Sequence, residues 1–177
     1  MSPTLSIDID RCVACGRCEI ACVVEHSPSR ELLTAIGRPD APPPRVTLTE
    51  HGGTPVILVC VHCEDPACAA VCPAGAITKR QSGEVVLIEE ICVGCGACAV
   101  ACHLGVPAAR ADGRAYVTCD LCPSRRDEGR PTACAEACPT GAIVFDPGKM
   151  EKGIVHYIIP GESRMVYMEL VGGKPAR

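Results

Sequence analysis

Aromatic residues are nearly missing from this chain. Its 177 residues include no Trp, one Phe and three Tyr. Aromatic side chains usually fill much of a protein core, because each of them buries a large apolar area. A chain of this length suits one domain or two small ones, and its conventional hydrophobic core would be thin. We therefore expect another component to fill part of the interior.

Other absences narrow the class of protein. No apolar run is long enough to cross a bilayer, so we expect no membrane span. Residues 1–9 lack the charged and apolar parts of a signal peptide, which predicts a cytoplasmic protein. The formal net charge of −4 argues against nucleic-acid binding, which favours a basic surface. No Gly-rich nucleotide motif and no nucleophile–base pair stands out, so the sequence does not predict an enzyme.

Cysteine, in contrast, is abundant, with 16 residues in four runs. Such a fraction is typical of secreted disulfide scaffolds, but the thiols of a cytoplasmic protein stay reduced. The third run contains Cys92, Cys95, Cys98 and Cys102, with two, two and three residues between successive cysteines. This is the spacing of bacterial iron–sulfur runs, in which three thiolates hold one cluster and the fourth reaches a different one. Gly94 lets the chain curl tightly around such a cluster.

The other three runs vary this pattern. The first has the same spacing, the second has four residues in its middle gap, and the fourth has a long loop between its halves. Their cysteines are Cys12, Cys15, Cys18 and Cys22; Cys60, Cys63, Cys68 and Cys72; and Cys119, Cys122, Cys134 and Cys138. The segment Cys-Pro-x-Gly-Ala-Ile occurs at 72–77 and at 138–143, which suggests duplicated units. Zinc is an alternative for the fourth run alone, because two cysteine pairs separated by a loop can form a zinc site.

Short strands and turns connect the runs. Alternating apolar and polar residues predict a strand at 5–9, and we expect a short helix at 18–24. Repeated prolines make 26–45 a linker, and a hairpin is predicted at 45–59 around the turn 51–54. Further strands are predicted at 84–88, 114–118, 154–159 and 165–170. The last two either pack on the cysteine-rich part or contact a partner.

The whole pattern resembles the four-cluster ferredoxin-like electron-transfer subunits of the dimethyl-sulfoxide-reductase type. The resemblance rests on the four runs, on the second reading Cys60-x-His62-Cys63-x-x-Pro66-x-Cys68, and on the wide fourth run. It covers about residues 5–146. It implies an α+β fold of two nested ferredoxin-like modules, each binding two [4Fe–4S] clusters, with a β-hairpin insertion and an extended C-terminal tail.

The resemblance also implies how the chain is divided. Residues 1–29 and 111–146 would form the outer module, 30–53 a linker with part of the hairpin, 54–110 the inner module, and 147–177 a C-terminal extension. Each cluster would be held by cysteines of two runs. The implied ligand sets are Cys60, Cys63, Cys68 and Cys102 (the Cys60 group); Cys92, Cys95, Cys98 and Cys72 (the Cys92 group); Cys12, Cys15, Cys18 and Cys138 (the Cys12 group); and Cys119, Cys122, Cys134 and Cys22 (the Cys119 group).

Four [4Fe–4S] clusters are thus the expected cofactors. Some members of the family replace a cysteine of the third run with Trp and carry a three-iron cluster, whereas Cys95 and its companions are all present here. His62 and His103 lie beside cysteines, and we expect them to hydrogen-bond cluster sulfur or backbone rather than to bind iron.

The resemblance implies a non-catalytic subunit that relays single electrons. Its expected partner is a catalytic molybdenum or tungsten oxidoreductase subunit, such as an aldehyde oxidoreductase, with a flavin subunit or a ferredoxin on the other side. Self-association is a further expectation. The alternatives are the iron–sulfur subunit of a hydrogenase or carbon-monoxide dehydrogenase complex, a redox-sensing iron–sulfur protein, and an enzyme with a substrate-binding cluster.

Overall fold

A computed structural model describes residues 4–146 and 155–158, and over these residues the chain mixes short helices with short strands. The helices are Arg17–His26 (α1), Leu32–Ile36 (α2), Ala67–Ala70 (α3), Ala97–Ala101 (α4), Pro123–Asp127 (α5) and Ala133–Ala137 (α6). The strands are Thr4–Asp8 (β1), Val46–His51 (β2), Thr54–Val59 (β3), Ile77–Lys79 (β4), Val85–Leu87 (β5), Ala108–Ala109 (β6), Tyr116–Val117 (β7), Ile143–Asp146 (β8) and Val155–Ile158 (β9). This mixture agrees with the predicted α+β class.

A three-stranded sheet brings the two ends of the described chain together. Its strand order is β8-β1-β9, with β1 antiparallel to β8 and parallel to β9. Leu5 and Ile7 are buried on one face of β1, as the predicted period-two pattern requires. The strand predicted at 154–159 is confirmed by β9, whereas the one predicted at 165–170 lies outside the described residues.

Strands β2 and β3 form the predicted hairpin. Val46 pairs with Val59 at its base and His51 pairs with Thr54 at its tip. The turn residues Gly52 and Gly53 have φ values of +59° and +82°, and positive φ at both central positions is what the tightest hairpin turns demand. Val46 and Val59 are buried in the main core together with β1.

Cysteine contributes a large part of the interior. The main core combines aliphatic side chains of β1, β2, β3 and β8 with cysteines of the first, second and fourth runs. A smaller core places Cys98 with Ile77 and Val85, and Tyr116 packs against it. The described residues therefore pack around sulfur where a typical protein would place aromatic rings.

The linker is more structured than the prolines predicted. Helix α2 occupies its middle, because Pro28 and Pro39 flank the helix and leave Leu32–Ile36 free of helix breakers. Ala35 is buried, while Leu33 is 82% exposed. Within the part of the chain that the structure describes, no helix is long and apolar enough to span a bilayer.

Candidate iron–sulfur site

Three cavities each bring four cysteines together from two different runs. The largest has an empty volume of about 420 Å³, counting its part open to solvent, and each of the other two about 300 Å³. The cysteines that line them are Cys60, Cys63, Cys68 and Cys102 in the first; Cys12, Cys15, Cys18 and Cys138 in the second; and Cys72, Cys92, Cys95 and Cys98 in the third. In each cavity, three cysteines of one run meet the last cysteine of another.

Three cysteines of the Cys119 group, Cys22, Cys119 and Cys134, belong to the main core. All four cysteines of the group are buried: Cys22, Cys119, Cys122 and Cys134. Burial raises the pKa of Cys122 to about 12, and the nearby Asp120, Cys134 and Cys22 raise it further. Burial also raises the pKa of Cys134 to about 12, with Cys22 and Cys18 nearby. Helices α1 and α6, which carry Cys22 and Cys134, pack against each other.

The chemistry of these groups suits a centre that carries positive charge. Burial raises the pKa of Cys119 well above its ordinary value and that of Cys60 to about 11. Four buried thiolates without a cation would be costly, because a buried charge needs a partner. Iron–sulfur clusters supply that partner and prefer thiolate ligands, and binding displaces the thiol protons. The residues present therefore fit such clusters.

The backbone bends in the same way in the first Cys-x-x-Cys loop of each of the four runs. The third residue of each loop has a positive φ, at +52° for Ala14, +51° for His62, +67° for Gly94 and +60° for Leu121. Three of these residues are not glycine, and such a conformation is uncommon for them. It persists where the surroundings impose it, typically at functional sites.

This bend turns backbone N–H groups toward sulfur. The N–H of His62 donates to Cys60 and the N–H of Leu121 donates to Cys119, and each bond favours the thiolate. In the third run, a Cβ on Gly94 would collide with a backbone carbonyl oxygen, that of Gly113. Space is therefore what requires glycine at this position, since the equivalent bends of the other three runs are made by residues that are not glycine. In the sequence, a glycine marks this bend only in the third run.

His62 makes one of the hydrogen bonds expected from the sequence, whereas His103 is placed only by its position in a cavity. His62 is buried, and its Nδ1 accepts a 3.0 Å hydrogen bond from the Val85 N–H. Burial lowers the pKa of His62 to about 4, so the ring is neutral. The expected hydrogen bond of His62 to backbone is thus present. His103 lines the cavity of the Cys60 group.

A polar network beside the Cys119 group was missed in the sequence. The Arg45 backbone N–H donates to the Cys22 sulfur at 3.2 Å. His26 donates from Nδ1 to the Cys22 carbonyl at 2.8 Å and from Nε2 to Asp120 at 3.2 Å. Burial opposes a charge on His26, but its hydrogen bonds to Asp120 and Cys22 and the negative charge of Asp120 together outweigh burial and raise the pKa of His26 to about 10. Against the effect of its burial, the hydrogen bond from His26 and the positive charge of Arg45 lower the pKa of Asp120 to about 2.

A second missed feature is the buried Arg125 in α5. Its Nε donates to the Pro131 carbonyl at 2.8 Å, and its Nη1 donates to Glu25 at 3.2 Å. Its Nη2 donates to Glu136. These partners lie in α1, in the loop before Cys134 and in α6, so one guanidinium joins three segments that carry the Cys119 group. Spacing alone does not separate Arg125 from the other arginines of this loop.

Comparison with known proteins identifies the class. Residues 56–147 match the 4Fe-4S dicluster domain. The chain belongs to this family of iron–sulfur proteins, and the resemblance seen in the cysteine runs is confirmed.

Three relatives from Escherichia coli K12 show how far the similarity extends. The probable anaerobic dimethyl sulfoxide reductase chain YnfG is 37% identical over 146 residues, which cover 80% of this chain and 71% of YnfG. The electron transport protein HydN is 34% identical over 168 residues, covering 86% of this chain and 93% of HydN. The iron-sulfur subunit of the nitrate-inducible formate dehydrogenase is 34% identical over 157 residues, covering 81% of this chain and 53% of that subunit.

Proposed function

We propose that this protein is a non-catalytic electron-transfer subunit that binds four [4Fe–4S] clusters. The observation that carries the proposal is the gathering of twelve cysteines into three groups of four, each drawn from two runs, while the other four cysteines are all buried. When bound, each cluster takes up or releases one electron, at a potential set by charge, hydrogen bonds and exposure. The names of the relatives, which include an electron transport protein and two oxidoreductase subunits, support the same function.

We assign the iron ligands as the Cys60, Cys92, Cys12 and Cys119 groups. In each group three thiolates come from one run and the fourth from its partner run. A set of four thiolates leaves no coordination position for a substrate, in contrast to a catalytic metal site. The chain's role is therefore to hold, space and insulate the clusters. The exchange of the last cysteine also cross-links distant segments, which couples folding to cluster binding.

We propose two nested modules. The outer module is 1–29 with 111–146, and its support is the pairing of β1 with β8 and the contact of α1 with α6. The inner module is 54–110, supported by the contact of α3 with α4 and the pairing of β4 with β5. Residues 30–53 connect the modules, and 147–177 extend the outer one.

The partner is proposed to be the catalytic subunit of an oxidoreductase that contains molybdenum or tungsten. Two of the relatives are named as chains of a dimethyl sulfoxide reductase and a formate dehydrogenase. A tungsten aldehyde oxidoreductase with a flavin subunit is the candidate that the family resemblance suggests. Hydrogenase and carbon-monoxide dehydrogenase complexes are the alternatives, and the cytoplasmic location and self-association stay predictions.

Anaerobic purification tests the proposal directly. We expect about sixteen iron and about sixteen sulfide ions per chain, four of each for every cubane. We also expect four one-electron signals in a redox titration followed by electron paramagnetic resonance. A clearly lower iron content, or zinc bound to the fourth run, would contradict the cluster assignment. Metal and flavin analysis of the co-purified partner identifies the catalytic subunit.

A further inference from the structure

Arg45 is held in place by the sequence around it. Three consecutive prolines, Pro42, Pro43 and Pro44, precede it, and strand β2 begins immediately after it. Proline restricts the backbone to a narrow range of conformations. The direction of the Arg45 N–H is therefore tightly defined, and this N–H donates to the sulfur of Cys22 at 3.2 Å.

The side chain of Arg45 is fixed at both ends of its guanidinium. Nη1 contacts an Asp120 oxygen at 2.5 Å, and Asp120 lies between Cys119 and Cys122. Nη2 contacts a Glu89 oxygen at 2.8 Å, in the turn just before the third run. The side chain of Arg45 is only 14% exposed. A positive charge thus sits between the segments of the third and fourth runs without freedom to move away.

We propose that Arg45 sets the reduction potential of the cluster held by the Cys119 group. The inference rests on the proposed function and concerns a positioning residue, since Arg45 contacts the ligand Cys22 and not iron. A hydrogen bond to a ligand sulfur stabilises negative charge there. A fixed positive charge does the same by Coulomb attraction, which is strong where water is largely excluded. Both effects favour the reduced state over the oxidised state.

The reaction concerned is the one-electron reduction of the cluster held by the Cys119 group. One electron arrives from a reduced partner protein, and no covalent bond forms or breaks. The charges packed around the guanidinium are Asp120 and Glu89, which are negative, and His26 and Arg110, which contact these acids. Replacing Arg45 with a neutral residue therefore makes the surroundings of the Cys119 group more negative, and reduction becomes less favourable.

The test is a redox titration of the full, anaerobically loaded chain followed by electron paramagnetic resonance. The signal of the Cys119 group is first assigned with C134S. In R45Q, which keeps the backbone N–H and removes the charge, we expect the reduced fraction of this cluster to fall about tenfold at a given potential. The tenfold change refers to the ratio of reduced to oxidised cluster, and it corresponds to a shift of about 59 mV to more negative potential for a one-electron couple. The other three signals stay in place.

Two control variants separate charge from packing. R45K keeps the charge and the N–H, so its potential stays close to that of the unmodified chain. R38Q changes an exposed arginine of the same linker, which pairs with Asp40, and should move no signal. An unshifted Cys119-group signal in R45Q, or an equal shift of all four signals, would overturn the proposal.

A third variant keeps the proposal testable if R45Q does not load this cluster. E89Q removes a negative charge next to the guanidinium, so the Cys119-group signal should move to more positive potential. No shift, or a negative shift, would refute the role of Arg45. The iron content of the unmodified chain is measured in the same experiment and tests the proposed function separately.

Discussion

Replacing Arg125 with methionine should destabilise the fold around the Cys119 group far more than replacing an exposed arginine of the same loop would. The side chains of Arg125 and Glu25 are 8% and 10% exposed, so their ion pair is buried. Methionine fills much of the same volume but leaves Glu25 charged and the Pro131 carbonyl without its donor. Removing one partner of a buried pair costs about 3–5 kcal/mol, and a lost hydrogen bond costs about 1 kcal/mol.

Two features reduce that cost. Arg30 remains 3.6 Å from Glu25, but it is half exposed and offsets no more than about 1 kcal/mol. Glu136 is 47% exposed, so water replaces the lost contact at this carboxylate. The net loss is therefore about 3 kcal/mol, and local opening becomes on the order of 100-fold more frequent, at about 1.4 kcal/mol for each factor of ten.

The assay is the rate of iron release to an excess of chelator under anaerobic conditions, where release follows local opening. We expect R125M to lose the Cys119-group signal on the order of 100-fold faster than the unmodified chain. R130M is the matched control from the same loop, because Arg130 is 48% exposed and contacts exposed acids. Equal rates for R125M and R130M would refute the reasoning from burial.

Three further outcomes follow from the site geometry. G94A should lose the cluster of the third run, because its new Cβ meets a backbone carbonyl at a φ of +67°, whereas A14G, at a φ of +52°, should keep its full iron content. E84Q should be less stable than the unmodified chain at neutral pH. Burial opposes the ionised form of Glu84, but its hydrogen bonds and an adjacent arginine lower its pKa below 4.5. The stability that the ionised carboxylate contributes is therefore lost as pH falls through that lowered pKa. The difference in melting temperature between the two proteins should accordingly become smaller in acid. C72S and C92S should alter the same paramagnetic signal, although these cysteines belong to different runs; changes in two different signals would disprove the ligand exchange.

Local features of this fold were predictable because they depend on neighbours in the chain. The hairpin β2-β3 needs only two glycines between apolar strands. Strand β1 follows from alternation over five residues. Helix α2 was missed because prolines dominated the interpretation of the linker, although none of them lies within Leu32–Ile36.

Some features of the candidate site were likewise predictable from neighbouring residues, and others were not. Cysteine spacing predicts iron–sulfur chemistry within each run, because the spacing is a local match to the size of a cluster. The left-handed bend in the first Cys-x-x-Cys loop of each run was not predictable at Ala14, His62 or Leu121, since only glycine signals such a conformation in a sequence. The pairing of runs came from the family resemblance and not from spacing.

By itself, the sequence determined the iron–sulfur family, the positions of the cysteines and the shortage of ordinary hydrophobic core. Only the tertiary structure decided which charges surround them. Arg45 and Arg38 look alike in the linker, yet one contacts Cys22, Asp120 and Glu89 while the other pairs with an exposed neighbour. The physical reason is that ion pairs have no sequence period. Any arginine can pair with any acidic side chain, and the folded backbone determines which of these pairs are close together and buried.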